Sequence, residues 1–385
     1  MTEPQWHNFP LETDASLRLT ALVRRLLPVP TKPKRAVLLV PGANSSSDTF
    51  TVPNGGLVRV LAEHNCDVWT LDWRASPLVL NQVLQLPRET LQEVEDERAA
   101  FSLDRMVHED LAAALTFLRS QVDSRIPLSV HGHCVGGGGV AMAIARGLLE
   151  PFGVDRVVLS TLGLFYEVPP TTWIKAEDFL LEAILLPREN AQFCRAIDPR
   201  RPDLWPKNFG DAYKAWPGAW LPKNGTKSDD FLRQLSFMVG QPYSRDRVDP
   251  GIEGEPIERI FGPLHLGLYT HLGQMVRRGY CAAINDRDQI DRVRLRRDEP
   301  ARHAPSGDFK RDFFEPYQIT LVAAGDNGVW HRDSIDLMFE WLKRSPKMHC
   351  EKFVARDKNI QELYWAPDAA RSVYPVFAEA LGAVS

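Results

Sequence analysis

The residues best suited to chemistry lie in Leu128-Ser129-Val130-His131-Gly132-His133-Cys134-Val135-Gly136-Gly137. A short apolar run leads into Gly-x-Cys-x-Gly, and the glycine- and alanine-rich residues that follow continue as a helix. In that setting the cysteine sits at a nucleophile elbow. The tight strand-to-helix turn forces strained dihedrals on its central residue, and glycines two before and two after let strand and helix approach. Cys134 then stands at the positive end of a helix, which is expected to lower its pKa and activate the thiol. A structural cysteine in a glycine-rich turn uses the same residue types, but the strand–elbow–helix order favours the nucleophile. Residues 136–139 match neither a dinucleotide fingerprint nor a P-loop, so a phosphate loop is excluded. A nucleophile of this kind also needs two backbone N–H donors for the developing oxyanion. Val135 supplies the first. Pro41-Gly42-Ala43-Asn44, directly after an apolar run, supplies the second, with Ala43 as donor.

The elements that position these residues alternate between buried strands and amphipathic helices, the pattern of a mostly parallel sheet covered on both faces. The strands are expected at Ala36–Val40, Cys66–Asp72, Leu128–His131, Arg156–Ser160, Ile319–Ala323 and Cys350–Ala355. Leu17–Val23 alternates and reads as an antiparallel edge strand. Helices are expected over Asp104–Gln121, with Asp104 as N-cap, and over Val135–Leu149, Arg332–Lys343 and Asp368–Leu381. The rhythm stops after Ser160 and resumes near Tyr317. Pro199–Thr226 is rich in proline and carries Trp205, Trp216 and Trp220, which no single regular element accommodates. Asn285–His303 mixes arginines with acids and reads as a solvated helix face. The expected organisation is a core of residues 1–165 and 316–385 with a cap, 166–315, laid over the sheet's C-terminal edge.

Composition narrows the class. With 385 residues, 44% hydrophobic and 25% charged, the chain is globular rather than disordered or fibrous. A formal charge of −4 gives no global reason to bind nucleic acid or an anionic membrane. The N-terminus lacks a basic and then apolar leader, and no run has the ~18 apolar residues of a membrane span. Five scattered cysteines without a CxxC pair argue against a disulfide framework or a zinc site. The expectation is a cytoplasmic protein with reduced thiols, without metal or cofactor, and of open oligomeric state.

Two further segments carry a resemblance. Val37-Leu38-Leu39-Val40-Pro41-Gly42-Ala43 and Cys66-Asp67-Val68-Trp69-Thr70-Leu71-Asp72-Trp73-Arg74-Ala75-Ser76 look like the α/β-hydrolases. The closer resemblance is to the hydrolase-like region fused to cholesterol-oxidase-type oxidoreductases. Phe101-Ser102-Leu103-Asp104 with Glu109-Asp110, the elbow, and Asp368 through Pro375 also match that pattern. The similarity covers roughly residues 9–165 and 316–384. An elbow cysteine is also what polyhydroxyalkanoate synthases use for acyl transfer. The resemblance implies the α/β-hydrolase fold strongly and a substrate hardly at all.

Triad order in that fold is nucleophile, acid, histidine. Asp326, in Gly325-Asp326-Asn327 after the strand Ile319–Ala323, is the candidate acid, although a turn aspartate serving local N–H groups fits the same place. The histidine should follow the last strand, yet no histidine occurs after His349. Counting back from Val373-Tyr374-Pro375, the family's Gly-His falls on Asn359-Ile360, and Ile360 cannot accept a proton. His331 is the candidate replacement base. His265 and His271 lie in the inserted segment and could be lowered onto the elbow. Asn44, His133, Ile360 and His271 are the candidate substrate-contacting residues. The expected function is acyl transfer through Cys134 (thioesterase, acyltransferase or acyl-chain cyclase) on a bulky apolar acyl group, free or carrier-bound. The alternative is a hydrolase scaffold that has lost hydrolysis and binds a ligand or guides a non-covalent cyclisation.

Overall fold

The computed structural model describes residues 4–14, 19–85, 98–177, 196–205, 207–215, 227–252, 254–283 and 310–384. Trp216, Trp220 and the charged run 285–303 lie outside them. Eight strands form one sheet in the order β1-β2-β4-β3-β5-β6-β9-β10. They are β1 Gln5–Asp14, β2 Leu19–Leu27, β3 Arg35–Val40, β4 Cys66–Asp72, β5 Leu128–His133, β6 Val154–Ser160, β9 Gln318–Ala324 and β10 His349–Ala355. From β4 to β10 the neighbours are parallel, and β1 and β2 are joined on antiparallel. A second, two-stranded pair, β7 Ala196–Ile197 and β8 Leu264–His265, belongs to the stretch between β6 and β9.

Alternation along the central strands explains the two-faced core. In β3, Ala36, Leu38 and Val40 join one hydrophobic cluster while Val37 and Leu39 join the other, and the whole strand is buried. Both faces are therefore covered, as a parallel sheet requires. The expected edge strand is β2, but it is not the edge: β1 pairs outside it along nearly its full length. The sequence did not announce β1 because its residues are mostly exposed or half-buried, so no core period marks it.

The expected helix at 104–121 is a short turn Leu103–Arg105, a π-helical turn Met106–Leu111, and a regular helix Ala112–Gln121. Its cap is Ser102, whose side chain accepts from the Arg105 N–H at 3.3 Å. Asp104 instead pairs with Arg146 at 2.6 Å. The π turn presents Asp110 to Arg74, and both side chains are fully buried with Asp110 Oδ1 2.6 Å from Arg74 Nη2. Arg74 also donates to the Ala100 carbonyl and to Glu109, which ties the loop after β4 to this helix. The last expected helix is broken into Ala369–Ser372 and Tyr374–Ala380.

Strands β6 and β9 are hydrogen-bonded neighbours although residues 161–317 separate them in the chain. The described part of that insertion is largely helical: Pro170–Glu177, Lys207–Ala215, Lys227–Val239, Glu255–Ile260 and Leu266–Arg278. No described helix is long and apolar enough to cross a membrane.

Candidate active site

Strand β5 ends at His133, and the helix Val135–Ala145 begins one residue later. Cys134 makes the turn with φ 55° and ψ −128°, a conformation that costs a residue with a side chain roughly 1–3 kcal/mol. Glycines make the turn possible. A methyl on Gly132 would lie 2.6 Å from the Gly136 carbonyl oxygen, and one on Gly136 would strike the carbonyls of Val40 and Pro41. The strain is thus held by close backbone packing between β5, the elbow helix and the loop after β3.

Three N–H groups converge on Cys134 Sγ. Trp330 Nε1 donates to it at 3.2 Å, and the backbone N–H groups of Val135 and Ala43 lie near enough to favour its thiolate. The first two are the donors assigned from sequence to an oxyanion hole. Trp330 was missed. It lies on the loop between β9 and the helix Asp333–Leu342, where no periodicity reports side-chain direction.

The thiol does not have the lowered pKa expected of it. Burial pushes Cys134 up to about 11, against the pull of Trp330, Val135 and Ala43. Three donors and a helix terminus do not compensate for removing the thiolate from water. Cys134 is therefore a neutral thiol near pH 7.

Cys134 opens on a pocket at the sheet's C-terminal edge. One part of its wall is Ala43, Asn44, Val135, Trp330 and Ile360, from the sheet's C-terminal edge. The rest comes from the insertion, with Met238, Leu264, Leu272 and Val276 among the contributors. Among the described residues the lining includes no histidine, carboxylate, lysine or arginine. No described cluster of three or more His, Cys, Asp or Glu has the geometry to hold a metal ion.

The sequence-assigned residues divide accordingly. Cys134, Ala43, Val135, Asn44 and Ile360 share the pocket. His331 does not line it: its ring is half exposed with Nδ1 3.1 Å from Asp333 Oδ2. Its position after β9 gives the right edge of the sheet, but its side chain turns to its own helix start. Asp326 is also outside, with its carboxylate 57% exposed and paired with Arg247 at 2.6 Å. His271 is buried away from the thiol, with both ring nitrogens occupied: Nδ1 accepts from the Leu103 N–H at 3.0 Å, and Nε2 bonds the Ala282 carbonyl at 2.8 Å. His265 stacks on Phe101 and accepts from the Gly267 N–H. His133 lies under the elbow, Nδ1 2.9 Å from Ser160 Oγ, and burial drives its pKa well below the usual value. Neither His133 nor His271 contacts the cavity as a substrate residue would.

The loop on which the resemblance would put a histidine, residues 359–360, is braced by an amide and a carboxyl side chain. Asn359 Oδ1 accepts from the Gly328 and Ile360 N–H groups, and Asn359 Nδ2 donates to the Gln241 carbonyl. Buried Glu362 accepts from the Asn359 and Ser244 N–H groups. Ile360 is held inward against the pocket, 1% exposed.

A model described as "Alpha/beta hydrolase family" matches residues 37–349. Among solved structures, the chain is similar to a highly thermostable carboxyl esterase from Bacillus coagulans in complex with glycerol, at 13% identity over 100% of both chains with a TM-score of 0.53. It is similar to a lipase in an open form at 12% identity over 98% of each chain, with a TM-score of 0.56. At these identities the likeness is one of fold. No curated protein matches the chain. The family match spans β3 through the start of β10 and includes the elbow, and on it the chain belongs to the alpha/beta hydrolase family.

Proposed function

We propose that this protein transfers acyl groups through Cys134, from an activated thioester to an amine, alcohol or thiol acceptor. The observation that carries the reading is the strained Cys134 turn with the Ala43 and Val135 N–H groups aimed at its sulfur. Backbone donors fixed in this way stabilise a carbonyl oxygen as it becomes an oxyanion. Residues 166–315 act as a cap over a core of 1–165 and 316–385. Support comes from the apolar residues that the inserted helices contribute to the pocket, which suit a bulky acyl chain. Within the family, the reading follows the resemblance to the oxidoreductase-fused hydrolase-like region and to the cysteine elbow of polyhydroxyalkanoate synthases.

A neutral thiol without a neighbouring base restricts the steps. In the first, the Sγ–C bond forms, the thioester C–S bond breaks, and the thiol proton passes to the departing sulfur. In the second, the acceptor attacks the acyl-cysteine, the C–Sγ bond breaks, and the acceptor's proton returns to Sγ. Neither step draws on a protein base. Water is a poorer acceptor than an amine or thiol, because it is the weaker nucleophile and no base assists it.

The test is incubation with the octanoyl thioester of N-acetylcysteamine and a primary amine, followed by intact mass and amide analysis. The expected result is an acyl adduct on Cys134 and amide formation, both lost in Cys134→Ala. Full turnover by Cys134→Ala would rule out covalent transfer. The second reading, a non-covalent cyclase or ligand-binding protein, is favoured by the neutral buried thiol. It predicts no adduct, with ligand binding retained in Cys134→Ala.

A further inference from the structure

Ala43, the second oxyanion donor, lies in a stretch of chain that other elements must hold in shape. Pro41 to Ser46 joins β3 to the 3₁₀ turn Ser47–Phe50, with Asn44 in the left-handed region at φ 43°. A non-glycine residue in that region persists only where its surroundings fix it. A methyl on Gly42 would lie 2.8 Å from Cys134 Cβ and 3.1 Å from Sγ, so this backbone passes directly against the nucleophile. A small shift of the stretch therefore moves the Ala43 N–H relative to any group bonded to sulfur. On its outer side it is tied to the insertion through the backbone. The Ser46 N–H donates to the Ile260 carbonyl at 2.8 Å, and the Gly262 N–H donates to the Asn44 carbonyl at 3.1 Å.

On the inner side, two consecutive residues at the end of β4 hold the stretch at both of its ends. Trp73 Nε1 donates to the Pro41 carbonyl at 3.2 Å. Asp72 takes Ser47 at two points: Oδ1 accepts from the Ser47 N–H at 2.8 Å and Oδ2 from Ser47 Oγ at 2.5 Å. Asp72 is fully buried, accepts from Ser76 Oγ at 2.7 Å, and has Arg24 Nε 3.6 Å from Oδ2. A buried ion pair often gives no more stability than well-packed apolar residues of similar volume. What the carboxylate adds is direction, two acceptors at a fixed spacing on one residue of the loop.

We infer that Asp72 is a positioning residue for acyl transfer at Cys134, holding the Ala43 N–H at the oxyanion position through Ser47. The inference rests on the acyl-transfer reading for the reaction and on these hydrogen bonds for the coupling. Asp72 does not line the pocket, so its loss acts on the step that creates an oxyanion rather than on substrate contact. That step can be isolated chemically. When an ester acylates Sγ, the S–C bond forms as the carbonyl oxygen takes up negative charge, and the alkoxide or phenoxide then leaves. When an iodoacetamide alkylates the same sulfur, the S–C bond forms as iodide leaves, and no oxyanion arises. Both reactions consume the same thiolate, so the ratio of their rates cancels changes in thiol pKa.

The experiment measures acylation of Cys134 by p-nitrophenyl octanoate against its alkylation by N-hexyl iodoacetamide, which carries a comparable tail. Peptide mass spectrometry reads both, with Cys134→Ala as the blank. Asp72→Asn should lower the acylation-to-alkylation ratio by about 10-fold or more. The fall stays below the ~100- to 1,000-fold of deleting an oxyanion donor, because the Ala43 N–H is displaced rather than removed. Ser47→Ala keeps the backbone bond to Asp72 and should give a smaller fall in the same direction. Ser76→Ala removes a partner of the same carboxylate on the side away from the loop, and should leave the ratio unchanged whatever it costs in stability. Should Asp72→Asn fail to fold, the Ser47→Ala and Ser76→Ala proteins decide between them. Equal ratios in the natural protein and the variants would overturn the inference, as would equal falls from Ser47→Ala and Ser76→Ala. So would an aryl ester that leaves Cys134 of the natural protein unacylated. Failure of the acyl-transfer reading shows separately, as no adduct from the N-acetylcysteamine thioester while the aryl ester still reacts.

Discussion

Replacing Trp330 by Phe removes one N–H from the thiol and keeps an aromatic ring in place. The indole donates to Cys134 Sγ at 3.2 Å and packs edge-on to Tyr166 at 5.4 Å. A hydrogen bond to a charged group is worth about 1.5–3 kcal/mol, and one pKa unit is about 1.4 kcal/mol. Without that donor the pKa, already raised to about 11, should climb by roughly one to two further units. At pH 8 the thiolate is already about one molecule in a thousand for a pKa near 11, and this fraction would fall another 10- to 100-fold. A more basic thiolate is also more nucleophilic, with a Brønsted slope of about 0.4–0.5, so the net loss in alkylation rate is about 3- to 10-fold.

The assay is Cys134-specific alkylation by iodoacetamide from pH 7 to 10, read by peptide mass spectrometry. The rate should rise throughout this range in the natural protein, because the thiol is neutral until the pH nears its pKa. Trp330→Phe should give a parallel line below it. N-ethylmaleimide, run alongside, separates the donor from access: loss of the donor slows both reagents, whereas a widened pocket speeds the bulkier one more. An unchanged or faster rate with both reagents in a folded Trp330→Phe protein would refute Trp330 as a thiolate donor.

Two further perturbations address the missing base and the scaffold. Ile360→His should create hydrolysis of p-nitrophenyl esters, with a gain at the low end of the ~100- to 10,000-fold of general-base catalysis, because Asp326 is drawn off by Arg247 at 2.6 Å. Adding Arg247→Ala should raise it further, and no gain in either would show that residue 360 does not stand at the base position. Arg74→Met leaves the fully buried Asp110 carboxylate uncompensated and should cost about 3–5 kcal/mol in denaturant unfolding. A loss below about 1 kcal/mol would mean that the pair does not brace the loop after β4.

Much of the scaffold was legible because its central strands are buried on both faces, so each reads as an unbroken apolar run of the right length. Cys66–Asp72 coincides with the observed strand and the other parallel strands differ by one or two residues at one or both ends, whereas the strand expected at Leu17–Val23 runs Leu19–Leu27. The elbow was legible for a related reason: Gly132 and Gly136 are forced by backbone contacts, which leave a mark in sequence. What failed depends on side-chain direction and on solvent. His331 and His271 were placed at the correct edge or segment, but sequence position does not say which way an imidazole turns. The thiol pKa was misjudged because a helix terminus can be counted from sequence while the depth of burial around Sγ cannot. Trp330 was invisible for both reasons.

The loop at 359–360 bears on the proposal of transfer rather than hydrolysis. In a triad, histidine serves the nucleophile first and water second, and the second service is the one that makes an acyl-enzyme hydrolyse. Here the corresponding loop is fixed by amide contacts from Asn359, and the carboxylate that would orient an imidazole lies at the surface in an ion pair with Arg247. Exposed pairs of that kind contribute little stability, so the pairing is not needed to hold the fold. An acyl-cysteine formed there would face mostly apolar walls and a few neutral polar side chains, with no histidine or carboxylate among the described lining residues to deprotonate water. Such an intermediate would react slowly with water and faster with a stronger nucleophile such as an amine or thiol. On the acyl-transfer reading, the absence of a histidine or carboxylate from the described pocket lining would disfavour water, the weaker nucleophile, more than an amine or thiol, while the strained Cys134 would still form the acyl-enzyme.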